Sequence, residues 1–365
     1  MFKKFLILSI AFVFTFSPCI SNLRTYESRA ICLLPAEQKA ELKTLSTSTT
    51  LTQTALWLNE EVLAVGRWDG TITIFQAKER LSISQVLVSP NKRGITMLEK
   101  INEELFVSSN SSSSIALWEH GNDGYFLKNV YTFEEHFGSI DSAKFIEIKN
   151  HKILLTGHSE GYFLIWEFLE NSFSLLSVIN LQSIDPVESP FKLWNIRSIL
   201  LWKNGCVITA SEDGDLCMID VLEGKVIHRQ RYNKAAQRGI NHIFISGDYL
   251  LLSNCSVGLL DQNLWLYRIE KNEFVYLDSK NLIVNKNLDQ VFSFDVGMFG
   301  GNNLYFFCST AEGLLWYGQI KNESLHVLNF KKVSPLVGAV IAIHPLYERL
   351  AAAAYDVYLL ELSPD

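Results

Sequence analysis

A chain of 365 residues with 48% hydrophobic and 19% charged side chains has ample material for a packed core and is not an intrinsically disordered protein. Its formal net charge of −7 excludes a global electrostatic pull toward nucleic acid or anionic lipid. Aromatic residues make up 12%, a content that suits many half-buried strands.

The first segment reads as an export signal. Lys3 and Lys4 precede an uncharged apolar run at residues 5–16, too short to cross a bilayer comfortably. Small residues then make cleavage after Ser21 the expected processing. That divides the chain into a signal at 1–21, an N-terminal extension at 22–38, a folded domain at 39–362 and a tail at 363–365. A competing route would lipidate Cys19, but Pro18 and Phe16 fit it poorly. No later stretch is apolar and long enough to span a membrane, so the expected location is the periplasm or the secreted fraction. On a secretory route Asn110, Asn254 and Asn322 would be glycosylation acceptors. The six cysteines are widely spaced and form no metal-type pair; they read as small apolar fillers on strands.

From residue 63 onward one pattern recurs: an apolar strand, a tight turn, and an alternating strand ending on a bulky residue. It appears as LAVGRWDGTITIFQ at 63–76, VSSNSSSSIALWE at 107–119 and LLTGHSEGYFLIWE at 154–167. It returns as VITASEDGDLCMID at 207–220 and FFCSTAEGLLWYG at 306–318, with weaker copies at 250–268 and 350–361. Asp-Gly or Glu-Gly supplies a glycine free to take positive φ at the turn. The markers Phe75, Trp118, Trp166, Ile219, Tyr267, Tyr317 and Leu360 are 43 to 53 residues apart, the length of four short strands. Apolar segments at 140–148, 194–202, 240–245, 291–296 and 340–344 precede hairpins as innermost strands, and 174–180, 226–232 and 274–278 follow as outermost ones. After the seventh hairpin the sequence leaves one strand short, and residues 39–46 are placed to supply it. The expected fold is therefore all-β: a single seven-bladed β-propeller closed by an N-terminal strand in the last blade.

Residues 136–145, HFGSIDSAKF, followed by LLTGHSEGYFLIWE, resemble one full repeat of the WD-repeat family. The resemblance implies that His136, Thr156, Glu160 and Trp166 form a buried hydrogen-bonded tetrad. Glu160 departs from the family's usual Asp, and Trp166-Glu167 replaces the Trp-Asp pair. The likeness extends over roughly 39–362 and is specific for fold.

No HExxH, GxSxG or phosphate loop occurs, so neither a catalytic site nor a metal or other cofactor is expected. The turns between second and third strands share one rim with the loops entering the innermost strands. On that rim fall Arg67, Trp68, Lys92, Arg93, His158, Trp194, Arg197 and Arg238. An exposed Trp among arginines suits a binding hot spot for an acidic protein or peptide. Loops at 182–192 and 254–263 interrupt the regular spacing and are further candidates for specificity. The expected function is a non-catalytic binding scaffold, against an enzyme acting at the central channel or a structural subunit of an envelope assembly.

Overall fold

The computed structural model describes residues 40–46, 50–77, 81–182, 194–203, 205–232, 239–256, 262–285, 291–300, 304–334, 337–346 and 349–362. They form seven four-stranded antiparallel blades. The first is Thr52–Trp57, Val62–Arg67, Thr71–Ala77 and Leu81–Val88. The second is Ile95–Lys100, Leu105–Asn110, Ser114–Gly121 and Gly124–Thr132. The third is Ile140–Ile148, His151–His158, Tyr162–Leu169 and Ser172–Asn180. The fourth is Ile196–Leu201, Cys206–Ser211, Asp215–Asp220 and Lys225–Arg231. The fifth is Ile240–Ser246, Tyr249–Ser256, Leu264–Glu270 and Glu273–Lys280, and the sixth Val291–Phe299, Leu304–Thr310, Leu314–Lys321 and Ser324–Lys332. The seventh takes Val340–Ile343, Arg349–Ala353 and Asp356–Leu362 from one end of the chain and Ala40–Ser46 from the other. That last ladder runs from Ala40 opposite Leu362 to Ser46 opposite Asp356.

The apolar content goes into seven seams, one between each pair of neighbouring blades. Along Val62–Arg67, Val62 and Ala64 pack toward blade 2 while Leu63 and Val65 pack toward blade 7. A strand buried on both faces needs an apolar residue at nearly every position, which is why the second and third strands read as continuous apolar runs. Outermost strands are covered far less: along Leu81–Val88 only Leu81 and Leu87 are buried. Burying one side chain such as Phe75 stabilises by about 1.5–3 kcal/mol. The seams around blade 7 match small against large. Ala351 and Ala353 face Trp57 and Phe75, while Ala352 and Ala354 face Phe307 and Tyr317.

Two irregularities repeat. Six innermost strands carry an extra residue near their start: Gln53, Thr96, Asp141, Arg197, Asn241 and Phe294. Blade 7 lacks it and pairs without interruption. Two of these residues bind the next blade, Thr96 Oγ1 donating to the Ile140 carbonyl (2.8 Å) and Asn241 Nδ2 to that of Ser293 (2.6 Å). Blades 5 and 6 also join directly, with Cys255 opposite Phe292 and Ser256 opposite Val291. The sequence spacing misplaces one marker: in blade 6 the position of Trp166 belongs to Gly318, opposite Phe306, because Tyr317 faces the other seam. Cys217 and Cys308 are buried and Cys206 half-buried, all three free thiols.

Candidate partner-binding rim

The turns that build the rim are tight and repeated. In blade 1 the Gly70 amide donates to the Arg67 carbonyl (3.2 Å), and Gly70 sits at φ 83°. A Cβ there would meet the Lys92 carbonyl carbon at 2.7 Å, so glycine is required both for conformation and for close approach of the loop entering blade 2. Asp69 Oδ1 accepts from the Thr71 amide (3.0 Å) and hydroxyl (2.7 Å), and Oδ2 accepts from Thr50 Oγ1 (3.0 Å). Partial burial works to raise this carboxyl, but those hydrogen bonds and the Arg67 charge hold it below the usual range. Neighbouring loops lock together: Arg93 Nη1 donates to the Ser111 carbonyl (3.3 Å), Gln182 Nε2 to that of Glu160 (2.7 Å), and the Glu212 amide to that of Asn195 (2.9 Å).

On this frame Trp68 stands 63% exposed, directly beside exposed Lys92 and Arg93. Trp194 is half-buried, and its indole N–H has no hydrogen-bond partner among the described residues. Arg197 is paired with Glu212 at 2.5 Å, so its charge is largely compensated. It also faces Asp141, whose carboxyl is pushed up by burial while Arg197 pulls it down. Arg238 lies outside the described residues, as does most of the loops expected at 182–192 and 254–263.

Two expected rim residues are not on the surface. Arg67 is 1% exposed, the last residue of its strand. Its Nη1 donates to the Thr50 carbonyl (3.1 Å) and that of Tyr355 (3.4 Å), so it fastens blade 1 to blade 7. Burial lowers its pKa against the charges of Asp69 and Asp356. His158 is 0% exposed and occupies the same register slot in blade 3: Thr52 lies opposite Arg67 as Ile140 lies opposite His158. Asn110, Ser211, Asn254 and Thr310 fill that slot elsewhere, every one buried. Side chains at the end of a second strand therefore turn inward, and the turn proper begins one residue later. The same rule removes Asn110 and Asn254 as accessible glycosylation acceptors, whereas Asn322 is exposed in a turn.

The tetrad expected in blade 3 is also rearranged. Trp166 Nε1 donates to Thr156 Oγ1 (2.9 Å), and Thr156 Oγ1 is bonded to His158 Nε2 (2.9 Å). The chain ends at the Gly138 carbonyl, 3.4 Å from His158 Nδ1. His136 takes no part. It sits 56% exposed in the short turn Glu135–Phe137, beside Glu134 at 3.1 Å, while Phe137 enters the core instead. Glu160 is exposed at the hairpin turn. Burial drives the His158 pKa down to about 4, only weakly opposed by the Gly138 carbonyl, so the ring is neutral at pH 7. Blade 2 contains a counterpart that the sequence pattern does not single out: Trp118 Nε1 donates to Ser108 Oγ at 2.9 Å. Glu212, the counter-charge of Arg197, was likewise missed. It occupies the turn position before Asp213-Gly214 that Trp68 occupies before Asp69-Gly70, and aligning the turns would have found it.

Among the described residues no three metal-ligating side chains gather, and no helix is long and apolar enough to cross a membrane. No protein-family model matches the sequence, and no curated protein matches it. Solved structures do. The β-propeller domain of Myceliophteria thermophila Cps50 (Swd1) is 14% identical with a TM-score of 0.66, covering 88% of this chain and 98% of its own. The WD40 β-propeller domain of Doa1 is 12% identical (TM-score 0.64, covering 88% and 97%). U3-55K is 13% identical (TM-score 0.67, covering 88% and 98%). The chain thus folds as a seven-bladed propeller of the WD40 kind.

Proposed function

We propose that this protein is an exported, non-catalytic binding scaffold that grips a protein or peptide through the rim at blades 1 and 2. The observation that carries the reading is Trp68, 63% exposed on a turn whose geometry depends on Asp69 and Gly70 and makes no use of an indole. Lys92 and Arg93 beside it favour an acidic partner. The cationic character is local, because Arg67 is buried and Arg197 is paired. Export rests on the basic and apolar pattern of residues 1–21; intact mass of the protein from its native host, beginning near Asn22, tests it. Affinity capture from the host's envelope fraction should yield a partner that is released by salt and lost in Trp68→Ala with Arg93→Ala at unchanged Tm. Capture that survives this pair of changes refutes the rim as the site.

One observation favours a second reading, a subunit of an envelope assembly. Exposed apolar side chains concentrate on the outermost strands of blades 1 to 3, among them Val86, Val88, Phe126 and Leu176, each 48–53% exposed. Replacing Phe126 and Leu176 with Ser should dissolve such an assembly and leave rim capture intact.

A further inference from the structure

In four blades the residue that follows the extra one in the innermost strand reaches across to the next blade. In blade 3 it is Ser142, whose hydroxyl donates to the Ile196 carbonyl of blade 4 (2.6 Å). In blade 4 it is Ser198, whose hydroxyl accepts the Ile243 amide of blade 5 (3.3 Å). In blades 5 and 6 the same slot holds His242 and Asp295. His242 Nδ1 lies 2.5 Å from Asp295 Oδ1, a contact of charge rather than of an aligned hydrogen bond. Asp295 is 5% exposed, and its Oδ2 accepts the Ile341 amide of blade 7 (2.7 Å). Its Oδ1 accepts the amide of Val296 (2.8 Å). One carboxylate thus ties three consecutive blades together.

The serine hydroxyls carry no charge, so the ties from blade 3 to 4 and from blade 4 to 5 do not respond to protons. The tie from blade 5 to 6 does, because an imidazole changes charge near neutrality. Burial opposes the charged ring, but the Asp295 carboxylate outweighs it and holds His242 above the usual histidine range. The described titratable groups on the strands packed around this pair are Arg197, Cys206, Tyr249, Tyr305 and Cys308. Arg197 is engaged by Glu212, and Asp295 is the charge that acts on the ring.

We propose that His242 and Asp295 form a proton-operated latch: the protonated imidazole draws blade 5 onto the carboxylate that already carries blade 7, and loss of the proton loosens blades 5 to 7. Backbone pairing of Cys255 with Phe292 and of Ser256 with Val291 keeps blades 5 and 6 in contact in either state. The stabilisation is complete below 6.5, where an unfolded histidine titrates, and is lost as pH rises through the higher folded value. The latch uses none of the rim residues and stands or falls apart from the rim reading.

The test is NMR of the imidazoles from about pH 6 to about pH 9, with His242 assigned by its absence in H242Q. Its resonance should titrate above 6.5, and D295N should bring the midpoint down. In thermal melts the Tm gap between wild type and H242Q should shrink as pH rises across that range. S142A, a change in the same slot of blade 3, should instead lower Tm by the same amount throughout. If a variant fails to fold, hydrogen exchange of the unaltered protein decides. After correction for intrinsic rates, protection along Val291–Phe299 and Val340–Ile343 should fall with rising pH, by about tenfold for each pH unit of the latch's shift, while Ile140–Ile148 holds. A His242 midpoint at or below 6.5, a Tm gap that does not change with pH, or unchanged protection in blades 6 and 7 overturns the proposal.

Discussion

Blades 3 and 6 share one backbone and hold it together differently. In blade 3 an indole, a hydroxyl and an imidazole form a buried chain from Trp166 through Thr156 to His158. At the same register blade 6 has Gly318, Cys308 and Thr310. The Phe306 ring fills the space where the indole would lie, and Thr310 Oγ1 has no hydrogen-bond partner among the described residues. Both blades keep four strands, the extra residue in the innermost strand and the positive-φ turn glycine. Seam packing and register are therefore sufficient to make a blade. The polar chain is an addition that a blade can lose once apolar volume replaces it.

The contrast is broken most strongly by Trp166→Ala, which removes an aromatic from the core and takes one of its two hydrogen bonds from the Thr156 hydroxyl; it should lower stability by about 3–5 kcal/mol in denaturant titration. A pH series probes the same chain more finely. An unfolded histidine titrates near 6.5 and buried His158 at about 4. As pH falls between those values the unfolded chain binds a proton that the folded blade refuses. Stability falls by up to about 3 kcal/mol, and this group adds no slope above pH 6.5. His158→Asn should flatten that slope. Next in size is a matched pair. Thr156→Val, which leaves Trp166 and His158 without their shared hydroxyl, should cost about 1–3 kcal/mol, whereas Thr310→Val in blade 6 should be neutral or slightly stabilising. A cost for Thr310→Val equal to that for Thr156→Val would mean that the two blades are not held differently. The smallest effect belongs to Trp68→Ala, which should leave stability within about ±0.5 kcal/mol.

The blades were legible because double-sided burial writes continuous apolar runs and because Asp69-Gly70, Glu160-Gly161, Asp213-Gly214 and Glu312-Gly313 punctuate them. The strand beginning at Ala40 was legible as the piece missing from the last blade. Arg67 and His158 were not, because successive strand residues face opposite ways and a boundary shifted by one residue exchanges core for solvent. Polar side chains in that slot look like turn residues until the registers are compared blade by blade. The indole at Trp68 needed no such comparison, since it lies one step beyond the strand end.

The ladder between Ala40–Ser46 and Asp356–Leu362 sets a timetable for the molecule. The two strands it joins are separated in sequence by the whole of blades 1 to 6, so one leaves the ribosome long before the other. At roughly 5–20 residues per second the early strand waits on the order of half a minute for its partner. Until then the growing ring carries two unpaired edges. The order of synthesis thus delays ring closure until the last blade has been made.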